Sequence, residues 1–384
     1  MADSLEGLLL TTMPGKTILI IGGYGNTGKK IARLLLDHTS ANVVLAARHA
    51  EPLKVAVEEL ASSRVRWKTA DASQVESLLP LFGEVDLVIV ASGTASSVDR
   101  VVTAALQARV DYLDIHYSSS KWTYLQSRAD EIMASGQCFI SEAGFHPGLP
   151  SFLVRYGARY FDELVVANVG GVVKQDWKSL DIGLSTQREF VQEIVEYQSS
   201  FFRDGAWRKA SLLTAKDFQT FDFGEDVGSH LCVPLFFEEL RPLPEQYPTL
   251  QQTSFYMAGF HWFVDFLVMP MVMLVVKLFP RSGLTPMTHF MIWALGAFSS
   301  PPYKVVLQLE AMGTYQGHRH AYRLRLSHGD GYWFTAIPVV ACVRQLLEGS
   351  IRQPGLHMMG HIVNPEFFLK DMQSMGVTVE EHLE

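Results

Sequence analysis

Residues 17 to 36, TILIIGGYGNTGKKIARLLL, pass from a short apolar run through a cluster of glycines into a basic segment with Ile31, Leu34 and Leu35 at helical spacing. Thr17 to Ile21 has the length and composition of a buried strand, and Gly23-Tyr24-Gly25-Asn26-Thr27-Gly28 fits the GxGxxG pattern that turns such a strand into a helix. The glycines differ in what they allow, since Gly23 makes the tight turn, Gly25 lets backbone approach a pyrophosphate, and Gly28 lets the helix pack closely on the strand. With Asn26 and Thr27 they open a helix whose first N–H groups would face the phosphates. The stretch therefore predicts dinucleotide binding.

The second strand, NVVLAAR, ends where a ribose-binding acid sits in NAD enzymes, about 20 residues past the last glycine. Ala47 and Arg48 stand there instead, followed by His49. A guanidinium pairs with a 2′-phosphate rather than a 2′-hydroxyl, so the cofactor expected is NADP.

Strand and helix patterns keep alternating: RVRWKTADAS reads as a third strand and loop, QVESLLPLF as a helix, and VDLVIVASG as a fourth strand. SSVDRVVTAALQARV is then helical, DYLDIHY a fifth strand, KWTYLQSRADEIMASG a helix, and CFISEAGFHPGLP a sixth strand entering a turn. Six such units predict an α/β fold, a Rossmann doubly wound parallel sheet with its ligands beyond the strands' carboxyl ends. Those ends carry Asp71, Ser92, Gly93, Asp114, His116, Tyr117, Glu142 and His146. Asp71 is placed toward the adenine side, and Ser92 and Gly93 toward the nicotinamide.

Composition narrows the function. A chain of 384 residues with 48% apolar content exceeds one ordinary domain, and its net charge of -8 argues against nucleic acid, whose binders carry a basic face. Cys138, Cys232 and Cys342 form no CxxC pair, which suits reduced thiols in a cytoplasmic protein. His357 and His361 are four apart among glycines and a proline, so no metal is expected. Residues 1–13 place acids before a brief apolar run and read as a loose leader rather than a secretory signal.

In order, GGYGNTG, TADAS, VDLVIVASG, DYLDIHY and EAGFHPGLPSFLV resemble the NADP-binding domain of the saccharopine dehydrogenase family, and DGYWFTAIPVVACVRQLLEG with PGLHMMGHIVNPEFFLKDMQSMGV resembles its closing segment. The turn departs from the amino-acid enzymes in carrying Tyr24 and Asn26. The resemblance implies a Rossmann domain over 14–147, an inserted mixed α/β substrate domain over 148–332, and C-terminal helices over 333–384 that return to the first domain. Relatives reduce imines of lysine and a keto acid, make carboxylated polyamines, or act as trans-acting enoyl reductases on lipid intermediates, so the substrate stays open.

In the middle, ELVVANVGGVV at 163–173 and the pair within 304–328, joined near Gly313 to Gly317, read as strands. Arg319, Arg323 and Arg325 fall on one face, as either a carboxylate-binding row or a solvated surface. Residues 255–279, FYMAGFHWFVDFLVMPMVMLVVKLF, could span a bilayer by length, but Asp265, His261 and Pro270 interrupt them. On a helix His261 would lie beside Asp265, four residues on. With PMTHFMIWALGAF after them, they suggest a buried helical hairpin or dimer interface, an apolar substrate tunnel, or a monotopic membrane patch over 255–298.

Reduction of C=N or C=C needs a proton donor for the atom that becomes electron-rich. His116, Tyr117 and His146 are the candidates, histidine because its ordinary pKa is about 6.5. The expectation is an NADPH-dependent oxidoreductase reducing an imine or activated alkene of a small organic substrate, acting as a homo-oligomer. The alternatives are a membrane-associated enoyl-type reductase of a lipid or polyketide intermediate, and a non-catalytic NADP-binding sensor.

Overall fold

A computed structural model of the chain describes residues 15–93, 97–116, 118–180, 183–211 and 215–383. The expected leader and Tyr117 lie outside the described residues. Strands β1 (Thr17–Ile21), β2 (Asn42–Ala47), β3 (Val65–Thr69), β4 (Leu87–Val90), β5 (Asp111–Asp114) and β6 (Cys138–Ser141) are all parallel. Parallel strands covered on both faces must be apolar throughout, and β1 shows why. Ile18 and Ile20 pack with helix Asn26–His38 and helix Gly331–Leu347 on one face, while Leu19 and Ile21 pack with helix Val98–Ala108 on the other. The segment expected as one helix after β5 is two, Ser119–Ser127 and Ala129–Ser135.

After β6 the chain turns into helix Leu149–Ala158, whose Phe152 and Leu153 share one core with Leu307 and Leu309 of the second domain. That domain is built on β7 (Glu163–Lys174), β8 (Ser200–Arg203), β9 (Ala206–Lys209), β10 (Gln219–Asp222), β11 (Ser229–Leu235), β12 (Gln252–Ala258), β13 (Lys304–Tyr315) and β14 (His318–His328). The hairpin of β13 and β14 turns at Gln316-Gly317, both at positive φ, as its two-residue loop requires. Gly313 lies inside β13 at a register shift, not in the turn.

Helix Gly331–Leu347 then returns to pack against helix Asn26–His38, with Lys30 over the Trp333 ring at 5.3 Å. Strand β15 (Gly355–Met358) joins the first sheet beside β6, giving seven strands in the order β15-β6-β5-β4-β1-β2-β3. The last strand, β16 (Thr378–Leu383), ends in the second sheet beside β14, whose order is β10-β11-β12-β7-β13-β14-β16. The closing segment thus serves both domains.

Two readings of the middle region change. Arg319, Arg323 and Arg325 do share a face, but Arg325 is satisfied within the protein by Glu380 at 2.9 Å, Gln308 at 2.9 Å and the Asp222 carbonyl at 3.1 Å. It is unavailable to a ligand. Residues 255–279 are not one helix: 255–258 belong to β12, and a π-helical turn Val264–Val268 leads into helix Met269–Leu278, followed by helix Leu284–Phe298. Pro270 follows the π-helical turn directly, within a helical run that starts at Trp262, where the hydrogen-bond ladder is already irregular. Asp265 accepts from the Phe260 N–H at 3.0 Å, and the backbone and charge of His261 also favour its carboxylate. Among the described residues no helix is long and apolar enough to cross a membrane.

Candidate active site

The cofactor half begins at the turn after β1. Gly22, not Gly23, has the positive φ, of 81°, while a Cβ on Gly23 would lie 2.7 Å from that of Leu45. A Cβ on Gly28 would run into the Gly22 carbonyl, so helix Asn26–His38 can approach the turn only with glycine there. The Gly25 N–H donates to the Gly22 carbonyl at 2.9 Å, closing the loop. The helix opens on Asn26, Thr27 and Gly28 without an acidic side chain or side-chain cap, leaving its first turn suited to a phosphate. At the end of β2, Arg48 is exposed, and Ser73 beside it holds Asp71 through its hydroxyl at 2.7 Å and its N–H at 2.9 Å. These bonds keep the Asp71 carboxylate below its ordinary range, with a smaller push from Arg48. A glycine cradle, an uncapped helix start and an exposed cation beside the second strand fit a dinucleotide carrying a 2′-phosphate.

The other half lies at the ends of β4, β5 and β6. Ser92 follows β4, and its Cβ is 2.5 Å from where one on Gly22 would stand, so strand-end and turn are in contact. Gly93 follows it. Asp114 does not cap the next helix; Ser118 does that by accepting from the Lys121 N–H at 3.3 Å. Asp114 is instead the centre of a buried network, accepting from Lys121, from the Tyr112 hydroxyl at 2.9 Å and from the Ser141 hydroxyl at 3.1 Å. Lys121 also donates to the His116 carbonyl.

The surroundings of both histidine candidates shift them below their ordinary range. Burial, with the Lys121 charge behind it, lowers His116 to about 4. Burial among rings, with Phe145 at 3.8 Å and Phe237 and Phe255 each at 6.1 Å, lowers His146 to about 4 as well. At neutral pH each is an uncharged imidazole with one N–H, so neither holds a readily released proton.

Glu142 does. It is the first residue past β6, is 1% exposed, takes φ of 59°, and neither of its carboxylate oxygens has a hydrogen-bond partner among the described residues. Burial pushes it up to about 8, opposed by Lys121 and aided by Glu239 and Asp114. A non-glycine residue in the left-handed region, bearing a buried unpartnered carboxyl, marks strain that a site can use. Glu239 is a second buried carboxyl, at about 7, which reaches from the inserted domain to accept from the N–H groups of Gly148 at 2.7 Å and Ser151 at 3.0 Å. The sequence placed Glu142 at a strand end but gave it no role, and nothing in its spacing singled out Glu239.

A parallel sheet with a glycine cradle at the turn after its first strand fits a dinucleotide-binding domain. Residues 18–136 match the family model described as saccharopine dehydrogenase NADP binding domain. That similarity assigns NADP as the cofactor of the amino-terminal domain. Apo saccharopine dehydrogenase (L-Glu forming) from Saccharomyces cerevisiae shares the fold with a TM-score of 0.69 at 15% identity, over 96% of this chain and all of that one. The DAP dehydrogenase of C. glutamicum, solved with DAP, has a TM-score of 0.50 at 14% identity, over 94% of this chain and 99% of that one. At these identities the likeness speaks to the fold. No curated protein matches the chain by sequence.

Proposed function

We propose that the protein reduces the C=N bond of an imine-like substrate, with an activated C=C bond as the alternative, and that Glu142 supplies the proton. NADPH, when bound, supplies the hydride at its nicotinamide. Hydride addition to the carbon leaves an electron pair on the neighbouring nitrogen, or on the α-carbon of an alkene, and that atom must gain a proton as the bond is reduced. Glu142 holds one at neutral pH because it is buried and its neighbours include the carboxyls of Glu239, Asp114 and Glu238. Its missing hydrogen-bond partner is the observation that carries the reading: a substrate N–H or N acceptor would complete it. The two solved dehydrogenases are named for amino-acid substrates, which agrees with C=N chemistry.

The test is NADPH oxidation, followed by absorbance, with a panel of 2-oxo acids paired with amines and a second panel of α,β-unsaturated thioesters. A turnover on the first panel that falls about a hundredfold or more in Glu142→Gln, with NADPH affinity unchanged, is expected. Equal rates in variant and wild type would remove Glu142 from the chemistry, and activity on thioesters alone would replace imine with enoyl reduction.

A further inference from the structure

The two helices Met269–Leu278 and Leu284–Phe298 bury one side and leave the other bare. Val268, Val272 and Met291 are enclosed, whereas Trp262, Phe266, Met271, Leu274, Leu278 and Trp293 face outward, Phe266 72% and Leu278 62% exposed. Met271, Leu274 and Leu278 recur at three and four residues, so they form one stripe along the helix. Soluble monomers rarely leave a large contiguous apolar face uncovered.

The exposed charges carried by the hairpin itself are basic, while the neighbouring helix carries both signs, with Arg188 and Glu193 exposed. Between residues 259 and 300 the sole acid is Asp265, which is half-buried and turned to the Phe260 N–H. Lys277 and Arg281 are exposed at the hairpin's tip, and Arg188 of the neighbouring helix donates to Thr285 there at 3.0 Å. On a chain of net charge -8, this is a local basic rim around an apolar stripe with tryptophans. Aliphatic and aromatic side chains flanked by cations match the boundary between acyl chains and anionic headgroups.

We propose that this hairpin docks the enzyme on the surface of a phospholipid bilayer bearing anionic headgroups, lying in the interface plane. The helical run from Trp262 through the π-helical turn to Leu278 is about 25 Å long, short of the hydrocarbon thickness of about 30 Å, so it lies in one leaflet's surface and does not cross. The surface stands apart from the strand-end crevice, and the inference does not depend on which bond the enzyme reduces.

Flotation with vesicles of phosphatidylcholine, and of phosphatidylcholine with phosphatidylserine at three to one, tests it. Wild type is expected to float with the serine-containing vesicles. The triple variant Phe266→Ser, Leu274→Ser, Leu278→Ser should lose about two orders of magnitude or more of that binding while keeping wild-type NADPH affinity, which reports its fold. The double variant Lys277→Glu, Arg281→Glu should lose the preference for phosphatidylserine. In the unaltered chain, brominated lipid should quench tryptophan emission, and Trp262→Phe with Trp293→Phe should abolish the quenching. A wild type that floats with neither vesicle, or a triple variant that floats equally well, would overturn the proposal. So would a stable dimer of the wild type that the triple variant breaks, which would assign the face to a second copy.

Discussion

Replacing Glu142 by glutamine removes a buried carboxyl at the strand ends that its surroundings hold protonated at neutral pH. The carboxyl lies at its ordinary 4.5 in the unfolded chain and at about 8 in the fold. The folded state therefore binds more protons than the unfolded state between those values, and stability falls as pH rises through that window. Each pKa step of one is worth about 1.4 kcal/mol, so the burden on the wild type is about 3 kcal/mol at pH 7 and about 5 kcal/mol above pH 8. Glutamine cannot ionise, and any fixed cost of placing its amide there is the same at every pH. The gap in unfolding free energy between Glu142→Gln and wild type should thus swing in the variant's favour by about 4 kcal/mol from pH 4.5 to above pH 8. Urea titrations of both proteins at closely spaced pH values measure it directly. A gap that stays within about 1 kcal/mol across the range, or one that moves against the variant, would refute the claim that burial keeps Glu142 neutral.

Two further changes probe its neighbours. Lys121→Met leaves Asp114 buried without its cation and should cost about 3 to 5 kcal/mol in a denaturant titration. It should also raise Glu142 further, since Lys121 is what holds that group down, moving the alkaline limb of the activity profile to higher pH. Ser151→Ala removes a hydroxyl that donates to Glu239, with an expected loss of about 1 to 3 kcal/mol by thermal or urea unfolding. Glu239 already sits above its ordinary value, so its stability contribution is lost as pH rises from 4.5 to about 7; without Ser151 that loss should extend to higher pH.

The Rossmann half was legible because its strands are buried on both faces and so read as plain apolar runs, each closed by a turn and a helical period. Strand β15 was not, since four residues after Gly355 carry too little pattern, and it exists because β6 offers an open edge. Phe255 to Ala258 merged with the helix beyond them because an apolar run looks alike in a buried strand and a buried helix. His116 and His146 looked suited to proton transfer from their ordinary pKa, but desolvation by residues far along the chain, Phe237 and Phe255 for His146, is a tertiary fact. The same holds for Glu142: its position at a strand end was visible, its lack of a partner was not. Arg325 shows the converse, a cation that seemed free until β16 folded beside it and supplied Glu380.

The central claim is that the strand-end crevice holds NADP through the glycine turn and Arg48. Calorimetric titration of NADPH and NADH into wild type and Arg48→Ala tests it most directly. The account predicts tighter binding of NADPH by the wild type, with about a tenfold to hundredfold loss for NADPH and little change for NADH in the variant. Equal affinity for the two cofactors in the wild type, or a loss shared equally between them in the variant, would contradict it.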